Sequence, residues 1–372
     1  MVGFMEKEID VIDLFLKMLS AKSITPDDGG LLDFIAKYLS DFEAVRVDRG
    51  GVKNLFLTKK FTDGEHLCFA GHVDVVPPGD GWSSDPFTPK IEDGLIYARG
   101  TQDMKSGVAA FVAAIKELKS FNGRLSILLT SDEEGDAIYG TKVVLDYLKE
   151  NNLLPDFAIV AEPTCEEVFG DAIKIGRRGS NNGVIKVFGK QGHAAYPSKA
   201  INPVNLIAPI LPKIAGVNLD NGDEFFEPSQ FVITDIRGGL EVTNVTPGLV
   251  KLMFNVRNST KTTPKDIENF VNRNFKGLNY EFELKPSAKP FMTNPDSKVV
   301  KVLTKAIKDE CGIDTKLSTA GGTSDARFFG EYGVATVEFG VINDTIHAPN
   351  ERTSINEVES LYRVFKRVLK EF

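Results

Sequence analysis

Histidine and cysteine are both scarce in this chain of 372 residues, with four of the first and three of the second. Cys68, Cys165 and Cys311 are odd in number, far apart and in no C-x-x-C pair. That excludes a disulfide framework and a thiolate metal site, and fits a reducing, cytoplasmic setting. There is no excess of basic residues either. A net charge of −8 excludes a general nucleic-acid binder, which needs clustered Lys and Arg against phosphates, but leaves room for a locally basic pocket. No apolar run approaches the roughly 20 residues that span a bilayer, and no basic segment followed by an apolar stretch marks a signal peptide. Val11–Leu19 is broken by Asp13 and Lys17 and reads as an amphipathic helix. Internal repeats and low-complexity tracts are absent. What remains is a globular chain, 42% hydrophobic and 26% charged, long enough for two domains.

The first half alternates short apolar runs with helical patterns. Helices are predicted over 31–40, 106–118 and 140–150, and strands over 54–58, 67–73, 125–130 and 157–161. Continuous apolar strands between helices indicate an α/β fold with a mixed, mostly parallel sheet covered on both faces. From about 182 the pattern becomes alternating, at 182–190, 231–236 and 250–256, with helices fitting 203–214 and 264–275. This is the signature of an α+β unit with one open sheet face. Helices at 297–310 and 355–370, with a strand in Gly333–Gly340, return to the first pattern. The chain therefore reads as a larger α/β domain, 1–178 and 293–372, split by an inserted domain, 179–292.

Three of the four histidines lie in short polar clusters: His72 in G-H-V-D, His193 in Q-G-H-A-A-Y-P and His347 in N-D-T-I-H-A-P-N-E. Acidic clusters stand between the first two: Asp103 in G-T-Q-D-M-K, Glu133 and Glu134 in T-S-D-E-E-G, and Glu162 in A-E-P-T. His72, Glu133, Glu134 and Glu162 all follow predicted strands, where open α/β sheets gather ligand groups. Singly, each cluster has a bland reading, such as a solvated acidic turn or a satisfied strand-end histidine. Together they suggest a hydrolytic metal site. Three carboxylates and two imidazoles can hold two divalent ions if one carboxylate bridges, and the N/O donor set suits zinc, or cobalt or manganese. Asp74, two residues after His72, can accept the second imidazole N–H. Glu133 and Glu134 are neighbours and point in different directions, so one can bind metal while the other handles the proton of an attacking water.

The motifs G-H-V-D-V-V-P, G-T-Q-D-M-K-S-G, T-S-D-E-E-G-D-A, A-E-P-T, G-R-R-G-S, G-H-A-A-Y-P, G-G-T-S-D-A-R-F and I-H-A-P-N-E occur in that order. In this the chain resembles the co-catalytic metallo-amidohydrolases related to aminoacylases, over nearly its whole length. The resemblance implies an amide hydrolase acting on a small anionic acyl-amino acid, or a related deacylase or peptidase. It implies His72, Asp103 and Glu162 on one ion, with Asp103 bridging to a second ion held by Glu134 and His347. Glu133 would be the general base and then the acid, Asp74 would orient His72, and the peptide after Asp103 would be cis. His193, in the inserted domain, would reach a neighbouring subunit's site to stabilise the oxyanion, which requires a homodimer. Arg178, Arg257, Asn244, Tyr196 and Thr323 fall where the family recognises substrate carboxylates, a task suited to the planar arginine fork. Ala326 replaces a usual glycine, and no small-residue pair precedes Asp103; neither change removes a catalytic group.

Overall fold

The computed structural model describes residues 10–372; residues 1–9, on which the expectation of no signal peptide partly rests, lie outside the described residues. The chain divides into two units. One comprises residues up to Gly176 together with Met292–Ser318 and Ser324–Phe372. The other comprises Arg177–Phe291 and the short segment Thr319–Thr323.

The first unit is built on an eight-stranded sheet. Its order is Glu43–Arg46, Asn54–Lys60, Arg124–Thr130, His66–His72, Phe157–Val160, Ala335–Glu338, Ala172–Lys174, Lys316–Ser318. The four central strands, from Arg124–Thr130 to Ala335–Glu338, are mutually parallel, and the first two pairings at one edge are antiparallel. The expected mixed, mostly parallel α/β sheet is what forms. His66–His72 is buried at every position, which requires cover on both faces. On one face Phe69 packs its ring against Phe111 at 5.5 Å and Phe365 at 5.2 Å. This brings helices Lys105–Lys116 and Ile355–Glu371 onto the sheet. The second of these starts at a capping box: Ser354 Oγ accepts the Glu357 N–H at 3.1 Å and Glu357 accepts the Ser354 N–H at 3.1 Å. Helix Thr141–Glu150 packs on Asn54–Lys60 and Arg124–Thr130. Among the described residues no helix is long and apolar enough to cross a membrane.

The second unit is a five-stranded antiparallel sheet: Val217–Asn218, Gln230–Gly238, Leu249–Arg257, Ser180–Phe188, Tyr280–Ala288. Leu249–Arg257 alternates in burial as the sequence does, and sends Val250, Leu252, Phe254 and Val256 into a core closed by Ile267, Phe270 and Val271 of helix Pro264–Asn274. One expectation is corrected here. The single helix over 203–214 is two short ones, Pro203–Ile207 and Leu211–Ile214, because Pro209 and Pro212 each remove a backbone donor from that stretch. The strand Tyr280–Ala288 was not anticipated, although Tyr280, Phe282 and Leu284 alternate with charged residues.

One close approach ties the fold to the residues of interest. A Cβ on Gly107, in the helix Lys105–Lys116, would lie 2.2 Å from the carbonyl oxygen of Ala161, the residue before Glu162. Gly107→Ala is therefore expected to overpack this contact and lower stability by about 1–3 kcal/mol. Urea unfolding of the variant measures it, and an unchanged midpoint would contradict the packing described.

Candidate metal centre

The parallel strands end together, and the loops beyond them carry the acidic and imidazole groups. His72 is the last residue of His66–His72 and pairs in register with Thr130, the last of its neighbour; Glu133 and Glu134 lie just beyond. Glu162 follows Phe157–Val160 by two residues. Asp103 precedes helix Lys105–Lys116, and the Asp103–Met104 peptide is cis. His347 lies in the loop after Ala335–Glu338 with a left-handed backbone, φ 59°.

These side chains converge. His72 Nε2 lies 3.1 Å from Asp103 Oδ1 and 3.8 Å from Glu162 Oε1. His347 Nε2 lies 3.4 Å from the other Asp103 oxygen, Oδ2, and 3.0 Å from Glu134 Oε1. One carboxylate thus stands between two imidazoles, an oxygen toward each. Glu133 Oε2 is 3.9 Å from His72 Nε2 and belongs to the same cluster. Ligand atoms about 2.05 Å from a tetrahedral zinc ion are roughly 3.3 Å apart, and in both triads, His72–Asp103–Glu162 and Asp103–Glu134–His347, the donor atoms lie within 4.8 Å of one another, close enough to be drawn onto one ion.

The electrostatics favour positive charge in the same place. Burial works against charge on His72, but its hydrogen bond to Asp103 and the nearby Glu162 and Asp74 carboxylates outweigh this and raise its pKa well above the ordinary value. Hydrogen bonds to Asp103 and Glu134 push His347 up to about 10. Asp103 is buried, yet hydrogen bonds from His347 and His72 hold it below the usual carboxylate range. Burial pushes Glu133 and Glu162 well up, and the charge of Asp103 adds to the effect on both. Protons are drawn onto the imidazoles because the cluster lacks cationic charge. The donor set fits two divalent ions facing neutral imidazoles.

Asp74 meets His72 chiefly through its main chain. The backbone carbonyl of Asp74, 2.9 Å away, pairs with His72 Nδ1, while its carboxylate is 3.6 Å from that nitrogen. The carboxylate instead accepts the Glu134 N–H at 3.2 Å and lies 3.5 Å from the Glu133 nitrogen. Asp74 thus fixes the His72 ring through its main chain and the two-glutamate turn through its side chain. Burial raises its pKa to about 6. Asp132 closes the far side of that turn by accepting the N–H groups of Ile138 and Tyr139, each at 3.0 Å.

The remaining expected residues belong to the second unit. His193 pairs with Val245 in a two-stranded ribbon, and Asn244 accepts the Ala194 N–H at 2.9 Å. His193 Nδ1 accepts the Ala195 N–H at 3.1 Å, an arrangement that in a neutral ring places the N–H at Nε2. Its ring sits 5.7 Å from that of Tyr196, which is exposed. Arg178 pairs with Glu227 at 3.3 Å. Burial, and then the charge of Arg178, lower the pKa of Arg257. Thr323 closes the segment Thr319–Thr323, in which Gly321 has φ 105° and a Cβ would meet Arg177 Nη1 at 2.5 Å. Reasoning from sequence overlooked Arg99 and Glu351, a buried pair beside Asp103; the signal was the glutamate that ends H-A-P-N-E.

Because His347, with Asp103 and Glu134 beside it, holds its proton up to about 10, an ion bound through its Nε2 at pH 8 must displace that proton. Zinc uptake by metal-free protein is expected to release at least about one proton at pH 8 and to weaken as pH falls. Calorimetry in two buffers of different ionisation enthalpy measures the release; none would contradict the charge balance described.

Comparison with known proteins gives a consistent picture. Residues 68–371 match the model of peptidase family M20/M25/M40. The chain is 69% identical over 364 residues to the succinyl-diaminopimelate desuccinylase of a Nitratiruptor species, covering 98% of this chain and 100% of that one. It is 66% identical to the protein of that name from a Sulfurovum species, over 98% and 99% of the two chains. Among solved structures, aminopeptidase PepT from Bacillus cereus shares the fold with a TM-score of 0.82 at 22% identity, over 98% of both chains. A dinuclear metal binding peptidase from Bacillus subtilis does so with a TM-score of 0.72 at 14% identity, over 96% of both. The chain belongs to peptidase family M20/M25/M40.

Proposed function

We propose that this chain is a two-metal amide hydrolase that removes the succinyl group from N-succinyl-LL-2,6-diaminopimelate. The products are succinate and LL-2,6-diaminopimelate, and the place is the cytoplasm, in diaminopimelate and lysine biosynthesis. The high identity to desuccinylases over the full chain supports the substrate. The observation that carries the chemistry is the Asp103 carboxylate lying between His72 and His347, with Glu133 beside them.

In this reading His72, Asp103 and Glu162 hold one ion, and Asp103, Glu134 and His347 the other. Zinc fits the N/O donors, and cobalt or manganese are alternatives. When bound, the ions supply Lewis acidity that polarises the amide carbonyl and acidifies water toward a pKa of about 7. Glu133 is not needed as a ligand. It takes a proton from the attacking water and returns it to the nitrogen of the departing amine. Asp74 keeps His72 and the Glu133–Glu134 turn in place.

The second unit supplies recognition. Arg178 and Arg257 would pair with substrate carboxylates, with Asn244, Tyr196 and Thr323 as polar partners. His193 would present Nε2–H to the oxyanion in the active site of a second subunit, so the working form is a C2 homodimer formed through the inserted domain, about 179–292.

Glu133→Ala is expected to lower kcat by about 10²–10⁴ while two zinc ions per chain are retained. Atomic emission and steady-state hydrolysis of N-succinyl-LL-diaminopimelate test this together. N-acetylornithine and a simple dipeptide run alongside should be poor substrates; a preference for either would replace the succinyl assignment and leave the reaction class intact.

A further inference from the structure

Beneath the candidate metal centre lies a salt bridge that the proposed chemistry does not use. Arg99 and Glu351 are almost fully buried, 1% and 0% exposed, and meet at 2.7 Å. Glu351 spends its remaining acceptor capacity on one loop. Oε2 accepts the Gly100 N–H at 2.9 Å, and Oε1 accepts those of Gln102 at 2.7 Å and Asp103 at 3.3 Å. Arg99 spends its fork on another loop. It donates to the carbonyls of His347 at 3.2 Å and Ala348 at 3.3 Å, and also to that of Pro78 at 3.1 Å. Gln102 adds a second tie between the loops, accepting the Thr345 N–H at 2.8 Å and donating to Asp344 at 2.5 Å.

A buried ion pair is weak as a stabiliser, because desolvation consumes most of its Coulomb energy. Its value here lies in geometry. The main chain of Asp103 hangs on Glu351, and the left-handed main chain of His347, a backbone conformation that needs outside support in a non-glycine residue, hangs on Arg99. We infer that the Arg99–Glu351 pair is a positioning device that sets the separation and orientation of Asp103 and His347, and so governs how tightly the ion they share is held. This rests on the two-ion reading above, though not on the identity of the substrate.

Stepwise zinc titration of metal-stripped protein by calorimetry tests it, alongside thermal melting and steady-state kinetics. Arg99→Lys keeps a charge for Glu351 but loses the fork, and so loosens the His347 side most directly. One of the two zinc affinities should fall by about 10–100-fold, the other should match the wild type, and kcat should drop with KM unchanged and recover in excess zinc. Glu351→Gln loosens Asp103, the shared ligand, and should weaken both ions. Should it fold poorly, Arg99→Lys alone still decides. Two wild-type zinc affinities in folded Arg99→Lys, with only the melting temperature lowered, would overturn the inference, as would equal weakening of both ions in that variant. A wild type that binds fewer than two zinc ions would overturn the two-ion reading and this inference with it. A wild type that binds two but leaves the succinyl substrate intact would overturn only the substrate, with the zinc affinities still deciding the positioning role.

Discussion

The first unit is organised around the difficulty of keeping many carboxylates close together and partly out of water. Asp74, Asp103, Glu133, Glu134 and Glu162 crowd around His72 and His347. At an effective dielectric near 20, two like charges about 4 Å apart repel by about 4 kcal/mol, so such a cluster needs compensation from every side. The surroundings supply it. Backbone N–H groups point at Asp74 and at Glu351, imidazoles flank Asp103, and the Arg99 guanidinium lies in the layer beneath. What they leave uncompensated is negative charge at the centre, where the two triads converge, and that excess is the physical basis for reading the site as a metal centre.

The sheet makes this concentration possible. Neighbouring parallel strands run about 4.8 Å apart, so residues just past the ends of three adjacent strands emerge within side-chain reach of one another. His72, Glu133 and Glu162 come from three such ends. Asp103 arrives from a different direction, one residue before the N-cap of the helix Lys105–Lys116, where the positive end of the helix dipole favours a negative charge. Gly107 then lets that helix approach the Ala161 carbonyl closely enough for Asp103 and Glu162 to share one imidazole.

What could be read from the sequence was the part whose signal is chemical type at a strand end. His72, Glu133, Glu134 and Glu162 stood out because polar residues follow apolar runs, and the parallel sheet was legible from the same runs. Two kinds of feature were not. The partner of His72 Nδ1 is a main-chain carbonyl, and Glu351 acts on three main-chain amides some 250 positions away in sequence. Contacts with backbone leave no residue-type signature, so a buried Arg–Glu pair looks like any other two charges until the chain is folded. Local errors had local causes: Pro209 and Pro212 interrupt what periodicity alone reads as one helix, and the charged outward residues of Tyr280–Ala288 disguise a strand whose inward face, Tyr280, Phe282 and Leu284, is apolar.

The adjacent glutamates show how the fold separates two duties that one residue cannot perform. A carboxylate bound to an ion cannot also carry a proton freely, so a hydrolytic centre needs one of each kind. Glu133 and Glu134 are consecutive on a turn whose backbone is fixed at one end by the Asp74 carboxylate and at the other by Asp132. With the main chain held, the two side chains take different nearest partners: Glu134 reaches His347 at 3.0 Å, while Glu133 lies 3.9 Å from His72, and both keep an oxygen in one cluster with His72. Burial keeps the Glu133 pKa well above the ordinary value. The proposed division into ligand and proton carrier therefore depends less on the two glutamates, which are chemically identical, than on Asp74 and Asp132, which hold the backbone of the turn that carries them.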